Sequence, residues 1–198
     1  MIYEIAEIFA SLQGEGRNTG RKVVFVRFAL CNLACPWCDT DFTKRFSLSL
    51  EELLAEIARF AQKNVILTGG EPTFRDGMEH LVAALKERGY WIAIETNGTK
   101  GFDEAPYLAF LDYIACSPKV EFEDSLRLDR ADEVRVVASS REAIDFCRRI
   151  ERKIAAKDYY VSPCDRDGKI DFALAKDVLG ELDGWALSVQ LHKLLGFR

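Results

Sequence analysis

The sequence lacks the features that mark several large classes of protein. It has only two histidines, His80 and His192, and neither forms the second ligand pair that zinc sites of the usual spacing need. No apolar run approaches the ~18 residues of a membrane-spanning helix. The basic-then-apolar leader typical of an export signal is missing as well. We therefore expect a cytoplasmic protein that makes no use of a membrane.

An excess of positive charge is also missing. Lys and Arg number 27 against 32 Asp and Glu, which gives a net charge of -5. Such a surface does not attract phosphate backbones, so nucleic acid is not an expected direct partner. A chain of 198 residues with 48% hydrophobic residues can bury a core without disulfides. Length and composition predict one globular domain over residues 1–198.

Three of the six cysteines stand close together, in the run Cys31-Asn-Leu-Ala-Cys35-Pro-Trp-Cys38-Asp39-Thr40. Three thiolates on one tight loop can bind three irons of a four-iron cluster and leave the fourth iron open, whereas an electron-transfer ferredoxin normally saturates its cluster with four thiolates. A non-enzymatic iron-sulfur or zinc protein is the alternative class. Of the single cysteines, Cys147 is interpreted as a small core residue, and the roles of Cys116 and Cys164 stay open.

Strand-like and helix-like segments alternate along most of the chain. Runs of β-branched and aromatic residues predict strands at 2–9, 22–30, 64–68, 90–95, 111–115, 134–137, 159–162 and 185–189. Apolar residues at helical spacing predict helices at 49–60, 76–88, 141–150 and 172–179. Repeated strand and helix units imply parallel strands with right-handed crossovers. Because a complete eight-fold barrel needs ~250 residues, the pattern predicts an α/β fold, an open, partial (βα)6-type barrel.

Polar and glycine-rich turns follow the ends of the predicted strands, at the edge where barrels and open α/β sheets bind ligands. Besides the cysteine loop, these turns are Gly69-Gly70-Glu71-Pro72, Thr96-Asn97, Ser117-Pro118-Lys119 and Ser162-Pro163-Cys164-Asp165. Gly70 has no Cβ, which allows the backbone to approach a ligand. Trp37 offers an aromatic face that suits a purine. Taken singly, each turn is also an ordinary connection between elements.

The cysteine spacing, together with the Gly-Gly-Glu-Pro turn, resembles the radical S-adenosylmethionine (SAM) superfamily. The resemblance implies a [4Fe-4S] cluster on Cys31, Cys35 and Cys38, whose open iron chelates SAM and whose electron cleaves it to a 5′-deoxyadenosyl radical. It also implies that SAM is bound by Trp37, Cys38, Asp39, Gly70, Ser117, Pro118, Lys119, Ser162, Pro163, Cys164 and Asp165.

Further strings narrow the resemblance to one family. The opening 5–16, the spacing to Arg27, the string Cys38-Asp39-Thr40 and the closing 189–193 are similar to those of 7-carboxy-7-deazaguanine synthases, nearly end to end. Members convert 6-carboxy-5,6,7,8-tetrahydropterin into 7-carboxy-7-deazaguanine, with loss of ammonia, on the route to queuosine-type nucleosides. Glycyl-radical-enzyme activases are the alternative, since they share the cysteine loop and a similar turn, although they lack the string from Leu12 to Gly16.

The family resemblance implies roles for further residues. Leu12, Gln13, Gly14 and Thr68 line the pterin site in this interpretation, and Arg27 meets the substrate carboxylate, which matches the planar guanidinium fork. Thr40 is implied as a protein ligand of Mg²⁺, an ion that keeps several waters. The alternative for Arg27 is a solvent-facing strand charge, and without the resemblance Thr40 is interpreted as a turn or cap residue. The resemblance further implies a homodimer and an external electron donor such as flavodoxin or ferredoxin.

Overall fold

The computed structural model describes residues 1–40 and 45–197. The strands are β1 (Ile2–Leu12), β2 (Lys22–Phe28), β3 (Phe46–Ser49), β4 (Asn64–Gly69), β5 (Trp91–Thr96), β6 (Tyr113–Cys116), β7 (Glu133–Ala138), β8 (Asp158–Pro163), β9 (Asp165–Arg166), β10 (Lys169–Ile170) and β11 (Trp185–Leu187). The α-helices are α1 (Leu50–Ala58), α2 (Met78–Glu87), α3 (Ala143–Lys153), α4 (Phe172–Leu179) and α5 (Leu191–Leu195). Short 3₁₀ helices lie at Gly16–Asn18, Pro72–Phe74, Pro106–Phe110 and Val120–Ser125.

One sheet organises the fold, with the strand order β11-β8-β7-β6-β5-β4-β2-β1-β3. Every pairing from β2 through β4, β5, β6, β7 and β8 to β11 is parallel. The amino-terminal strand β1 instead pairs antiparallel with both β2 and β3. Because β11 and β3 end the sheet without pairing to each other, the barrel is open. The predicted partial barrel is confirmed.

Crossovers between the parallel strands differ in kind. Four of them carry α1, α2, α3 and α4, whereas the links from β5 to β6 and from β6 to β7 carry 3₁₀ helices. A capping box starts α1, because Ser49 Oγ accepts from the Glu52 amide and the Glu52 carboxylate accepts from the Ser49 amide. No helix in the described part of the chain is long and apolar enough to cross a membrane.

Several element boundaries differ from the sequence prediction. The second strand stops at Phe28 because Leu30 takes a left-handed φ of 66° where the chain turns into the cysteine loop. Helix α2 begins at Met78 because Gly77, with a φ of 78°, reverses the chain before it. The pattern also missed β3, the β9–β10 hairpin and α5, since segments of two to five residues are too short to show a period.

Alternate residues of the parallel strands face opposite sides of the sheet. Val24, Val26 and Phe28 belong to the main core under the helices, whereas Val23 and Phe25 belong to a smaller cluster on the concave side. The same alternation turns polar residues of these strands toward the concave side. The concave face therefore carries the chemistry, and the helix-covered face carries most of the apolar core.

Candidate active site

The carboxyl ends of the parallel strands surround a cavity of about 510 Å³ on the concave face. Most of the predicted site residues line it, namely Leu12, Gln13, Gly14, Arg27, Cys31, Cys35, Trp37, Cys38, Asp39, Thr40, Thr68, Gly70, Ser117, Lys119, Ser162, Pro163 and Asp165. Pro118 and Cys164 are not part of the lining. Cys164 is buried, with its Sγ 3.9 Å from the carbonyl oxygen of Asp165.

The three thiols of the cysteine loop face this cavity, and the other three do not. Cys31 and Cys35 are half-buried and Cys38 is exposed, and the Cys38 amide donates to the Cys35 carbonyl at 3.1 Å to close the turn. Burial raises the pKa of the Cys31 and Cys35 thiols, while the nearby Lys119 ammonium lowers both. Burial raises the pKa of Cys116 and of Cys147 to about 12, as expected for core thiols. Cys116 and Cys164, whose roles the sequence left open, are both buried in the interior.

The three loop thiols line the same cavity, which suits a cluster held by separate thiolates. Across residues 1–40 and 45–197, no three His, Cys, Asp or Glu side chains are grouped as ligands of one metal ion. A [4Fe-4S] cluster instead asks each thiolate to bind a separate iron. Three cavity thiols leave the fourth iron for a small-molecule ligand.

A buried hydroxyl in the cavity wall also fits a small polar ligand. Ser162 Oγ lines the cavity, is shielded from solvent, and has no hydrogen-bond partner among the described residues. Buried polar groups without a partner are rare and call for an explanation. A bound ligand that hydrogen-bonds to the Ser162 hydroxyl would explain why it has no protein partner. This agrees with the SAM contact at Ser162 that the resemblance implies.

Gly69 and Gly70 fix the cysteine loop against the end of β4. A Cβ on Gly70 would lie 1.6 Å from the carbonyl oxygen of Leu30, and one on Gly69, whose φ is 116°, 2.3 Å from that of Phe28. The Gly70 amide donates to the Phe28 carbonyl oxygen at 2.9 Å, and the Glu71 amide donates to the Leu30 carbonyl oxygen at 3.1 Å. The missing Cβ of Gly70 thus admits the backbone that leads into the cysteine loop, in addition to facing the cavity.

Glu71 is a structural member of the same turn. Its fully buried carboxylate accepts hydrogen bonds from Thr73 Oγ1 and Thr96 Oγ1, both at 2.7 Å, and from the Asn97 amide at 2.6 Å. Burial raises the pKa of Glu71, and these hydrogen bonds lower it. Asn97 Nδ2 in turn donates to Asn32 Oδ1 at 3.0 Å. Glu71 and Asn97 therefore tie the β4 and β5 turns to the cysteine loop.

Arg135 stands at the centre of a buried ion cluster that the sequence analysis missed. Its side chain contacts three carboxylates, with Nη1 2.5 Å from Glu15, Nη2 2.8 Å from Glu95 and Nε 3.0 Å from Glu133. Arg135 is only 4% exposed. One guanidinium shared by three carboxylates leaves this wall of the cavity negative. The sequence feature that could have indicated this cluster is the charged residue in the apolar run Val134-Arg135-Val136, because parallel strands are normally apolar on both faces.

The Arg135 cluster also holds two of the predicted pterin residues. Gln13 Nε2 donates to Glu95 at 2.9 Å, and Thr68 Oγ1 donates to Glu95 at 2.7 Å. Burial alone raises the pKa of Glu95, but the Arg135 charge and these hydrogen bonds bring that pKa down to about 2. Gln13 Oε1 also accepts from the Glu15 amide at 3.1 Å. The Gln13 amide is thus held on both sides, which leaves one N–H and one lone pair for a ligand.

Arg27 faces the cavity rather than bulk solvent. It lies on β2, in register with Glu7 of β1 and Thr68 of β4. Its Nε is 3.7 Å from Glu7 Oε2, and its side chain is 29% exposed. A guanidinium has five N–H donors, more than this pairing uses. The alternative of a solvent-facing strand charge is therefore wrong for Arg27.

Trp37 and Lys119 form another part of the cavity wall. The Trp37 indole donates to Glu121 at 2.9 Å, so the ring is fixed at the cavity edge and is not part of the core. Lys119 Nζ lies 5.1 Å from the centre of that ring and donates to Ser117 Oγ at 2.8 Å. An indole face beside a cation and a hydroxyl provides both a stacking surface and polar contacts.

Residues 188–193, here called the carboxyl-terminal strap, close one side of the cavity. Gly16 N donates to Ser188 Oγ at 3.0 Å, Gln190 Nε2 donates to Glu15 at 2.7 Å, and the Leu191 amide donates to the Gly14 carbonyl at 3.2 Å. Gln190, His192 and Lys193 all line the cavity. Burial lowers the pKa of His192. The strap joins the first turn of the chain to its last helix.

Comparison with known proteins gives the same picture. Residues 26–155 match the family described as Radical SAM superfamily. The chain is 45% identical to a 7-carboxy-7-deazaguanine synthase of Haemophilus influenzae, over 98% of this chain and 93% of that protein. It is 43% identical, over the same shares, to one of Neisseria meningitidis serogroup B. The crystal structure of QueE from Escherichia coli has the same fold, with a TM-score of 0.75, 24% identity, and coverage of 96% of this chain and 94% of that one.

Fold, thiol triad and family match define the class of this protein as a radical SAM enzyme, whose cofactors are a [4Fe-4S] cluster and SAM. The cavity offers residues that suit both. Because the identity extends over nearly the full length of its relatives, the chain belongs to the family of 7-carboxy-7-deazaguanine synthases. The family resemblance seen in the sequence is confirmed, in preference to an activase or a non-enzymatic metal protein.

Proposed function

We propose that the chain converts 6-carboxy-5,6,7,8-tetrahydropterin into 7-carboxy-7-deazaguanine, with loss of ammonia, in the biosynthesis of queuosine-type 7-deazapurines. The observation that supports this proposal most is that the three thiols of the cysteine loop line the same cavity as Arg27, Gln13 and Thr68. Near-full-length identity to proteins named as this synthase supports the same reaction. We further propose that residues 1–198 work as one radical SAM domain.

The work is divided between the cofactors and the chain. When bound, the cluster and SAM supply the 5′-deoxyadenosyl radical that takes the hydrogen from C6 of the pterin. The residues of the chain bind and orient the reactants, and they exclude water from the cavity. Cys31, Cys35 and Cys38 hold the cluster in this proposal, and SAM is bound along the wall formed by Trp37, Gly70, Ser117 and Ser162. Holding both reactants in one geometry removes much of the entropic cost of their meeting.

Opposite charges at the two sides of the pterin site orient the substrate. Arg27 presents its fork to the substrate carboxylate, a pairing that gains from two parallel charge-assisted hydrogen bonds. On the Arg135 side, the ionised Glu95 carboxylate and Gln13 offer acceptors to the N–H groups of the pyrimidinone ring, and Thr68, the register partner of Arg27, lies between the two ends. Leu12 and Gly14 supply the neighbouring backbone and apolar surface. A ligand with a carboxylate at one end and N–H donors at the other fits this order of groups.

Thr40 supplies the proposed Mg²⁺ ligand. It lines the same cavity as Arg27, two residues after the last cluster cysteine. Its hydroxyl is a hard oxygen donor, and Mg²⁺ commonly takes one or two protein ligands and fills its shell with substrate oxygens and water. An ion held by Thr40 would supply positive charge near Arg27 for the substrate carboxylate.

Two partners complete the proposal. The cluster needs an electron to start the chemistry, and we assign this to an external donor such as flavodoxin or ferredoxin. The family resemblance also points to a homodimer. We place the enzyme in the cytoplasm, since reduced iron-sulfur chemistry suits a reducing compartment.

The direct test is an anaerobic assay of the reconstituted protein with carboxypterin, SAM, reductant and Mg²⁺. We expect 7-carboxy-7-deazaguanine and ammonia, with much less 5′-deoxyadenosine than product because SAM is regenerated. Deuterium at C6 of the substrate should appear in 5′-deoxyadenosine and SAM. Stoichiometric deoxyadenosine without a deazaguanine, or a glycyl radical formed on an added partner protein, would show an activase instead.

Arg27→Gln is the substrate-side control for this assay. Losing hydrogen bonds to a charged group costs roughly 1.5–3 kcal/mol, so kcat/KM for the carboxypterin should fall roughly 10- to 100-fold. Binding of SAM to the same variant should match that of the wild type. An unchanged kcat/KM would remove the carboxylate role of Arg27.

We expect Mg²⁺ to raise the turnover of the wild type and Thr40→Ala to respond much less, with cluster content and SAM binding retained. The reason is that one hydroxyl is a small part of an octahedral shell, so its loss weakens the ion without disturbing the rest of the site. Turnover is titrated against Mg²⁺ for both proteins. Thr19→Ala, which removes an exposed hydroxyl outside the cavity, is the matched control. Equal Mg²⁺ dependence in wild type and Thr40→Ala would rule out the assigned ligand.

A further inference from the structure

Lys193 connects two loops that start from distant strands of the open barrel. Its Nζ lies 2.5 Å from Asp39 Oδ2 and 2.7 Å from Asp165 Oδ2. Asp39 belongs to the cysteine loop after β2, whereas Asp165 follows β8, and four other strands of the sheet separate β2 from β8. The lysine therefore spans the mouth of the cavity, where the strands themselves do not meet.

The bridge is charged and unevenly shielded, because the Asp165 side chain is 13% exposed and that of Asp39 is 47% exposed. The Lys193 side chain is 20% exposed, and Asp165 also accepts from the Gly168 amide at 2.9 Å, which fixes its carboxylate. Burial lowers the pKa of Lys193, but its hydrogen bonds to Asp165 and Asp39 raise it above the ordinary value. The Lys193 hydrogen bond is also the main cause of the lowered pKa of Asp165. Lys193 and Asp165 are therefore both ionised at neutral pH.

Both loops joined by Lys193 belong to the SAM side of the cavity. Ser162, whose buried hydroxyl lacks a partner among the described residues, is three residues before Asp165, and Asp39 is next to the cluster cysteine Cys38. Without the ammonium, the carboxylates of Asp39 and Asp165 would repel each other and favour a wider separation of the loops. The rest of the strap would stay attached through Gln190 and Leu191, which contact the first turn of the chain.

We propose that Lys193 is a positioning residue for SAM, which holds the cysteine loop and the β8 loop at the separation that SAM binding requires. The inference rests on the SAM site of the proposed function and is independent of the pterin reaction. Lys193 acts through Asp39 and Asp165, so its removal changes the affinity for SAM while the cluster ligands remain in place.

The test measures SAM binding by anaerobically reconstituted protein in the absence of pterin. Lys193→Met should raise the Kd for SAM roughly tenfold, the scale of removing one partner of a partly shielded charge pair. Iron and sulfide content should stay at the wild-type level. The electron paramagnetic resonance spectrum of the reduced cluster, which changes when SAM binds the open iron, should require correspondingly more SAM to change.

Two further variants separate positioning from general stability. Lys193→Arg keeps a cation able to reach both carboxylates and should recover most of the affinity. Lys169→Met removes an exposed lysine from the nearby β9–β10 hairpin and should bind SAM like the wild type. An unchanged Kd in Lys193→Met, or loss of iron and helical content in that variant, would overturn the proposal. A wild type that binds SAM and forms no deazaguanine would count against the proposed reaction alone.

Discussion

Replacing Cys31, Cys35 or Cys38 by alanine is expected to lower bound iron from about four atoms per chain to background, since each thiolate of a [4Fe-4S] cluster holds its own iron. These three thiols are the cysteines that line the cavity. With a vacant corner, the cluster has two protein ligands and is lost to solvent. Iron and sulfide analysis after anaerobic reconstitution measures the loss, and formation of 5′-deoxyadenosine should be absent in all three variants.

The matched controls are Cys116→Ala and Cys147→Ala, which remove thiols of the main core. Both should reconstitute to the wild-type iron content. Because each leaves a small cavity, a modest loss of about 1 kcal/mol in the free energy of unfolding is expected. If either variant, or Cys164→Ala, lost iron as completely as the loop variants, the ligand assignment would be wrong.

The second large effect is expected from Arg135→Gln, which should lower the free energy of unfolding by about 3–5 kcal/mol, the usual result of removing one partner from a buried ion group. Glu15, Glu95 and Glu133 would then lose the guanidinium that they share. Denaturant unfolding followed by circular dichroism, with all proteins kept anaerobic, gives the value. Binding of the pterin should weaken as well, since Glu95 holds Gln13 and Thr68.

Arg149→Gln provides the comparison, because it breaks an arginine–glutamate pair that is 47% exposed on the arginine side. Exposed pairs contribute little to stability because solvent screens their charges, so the unfolding free energy of Arg149→Gln should stay close to that of the wild type. Similar losses in Arg149→Gln and Arg135→Gln would contradict the importance given to burial.

The pH dependence of the Arg135→Gln effect follows from Glu95. In the wild type, its pKa of about 2 lies below the ordinary 4.5, so its ionised form stabilises the fold above that ordinary value and the benefit is lost as pH falls toward 2. Without Arg135, burial dominates and raises the pKa of Glu95. Protonation of Glu95 then removes an unpaired buried charge and stabilises the variant. The stability gap between the two proteins should narrow as pH is lowered from 8 toward 5. A difference in unfolding free energy that stays constant with pH would argue against an unpaired Glu95 carboxylate in the variant.

The sequence was most informative where a local period decides the structure. Strand β4 was predicted at 64–68 and ends one residue later, and α4 has the predicted bounds, because apolar alternation and helical spacing act within one segment. The cysteine loop and the turns after the strands were likewise placed on the correct edge of the sheet, since parallel strands bring their carboxyl ends together.

Features that depend on contacts between distant segments could not be obtained in this way. The need for glycine at position 70 comes from the Leu30 carbonyl, some forty residues earlier in the chain. The partners of Arg135 lie on the first turn, on β5 and on its own strand, and their meeting depends on the strand order. Periodicity shows which face a residue occupies on a strand but does not show which strand lies beside it.

Because the strap follows the cysteine loop in the chain, the two are synthesised in a fixed order. At ~5–20 residues per second, the cysteine loop leaves the ribosome roughly 8–30 s before Lys193 does. During that interval the three thiols exist while the side of the cavity that Gln190, Leu191 and Lys193 later close is still uncovered. Iron and sulfide carriers therefore have a wider approach to these thiols before the strap packs than after it has packed.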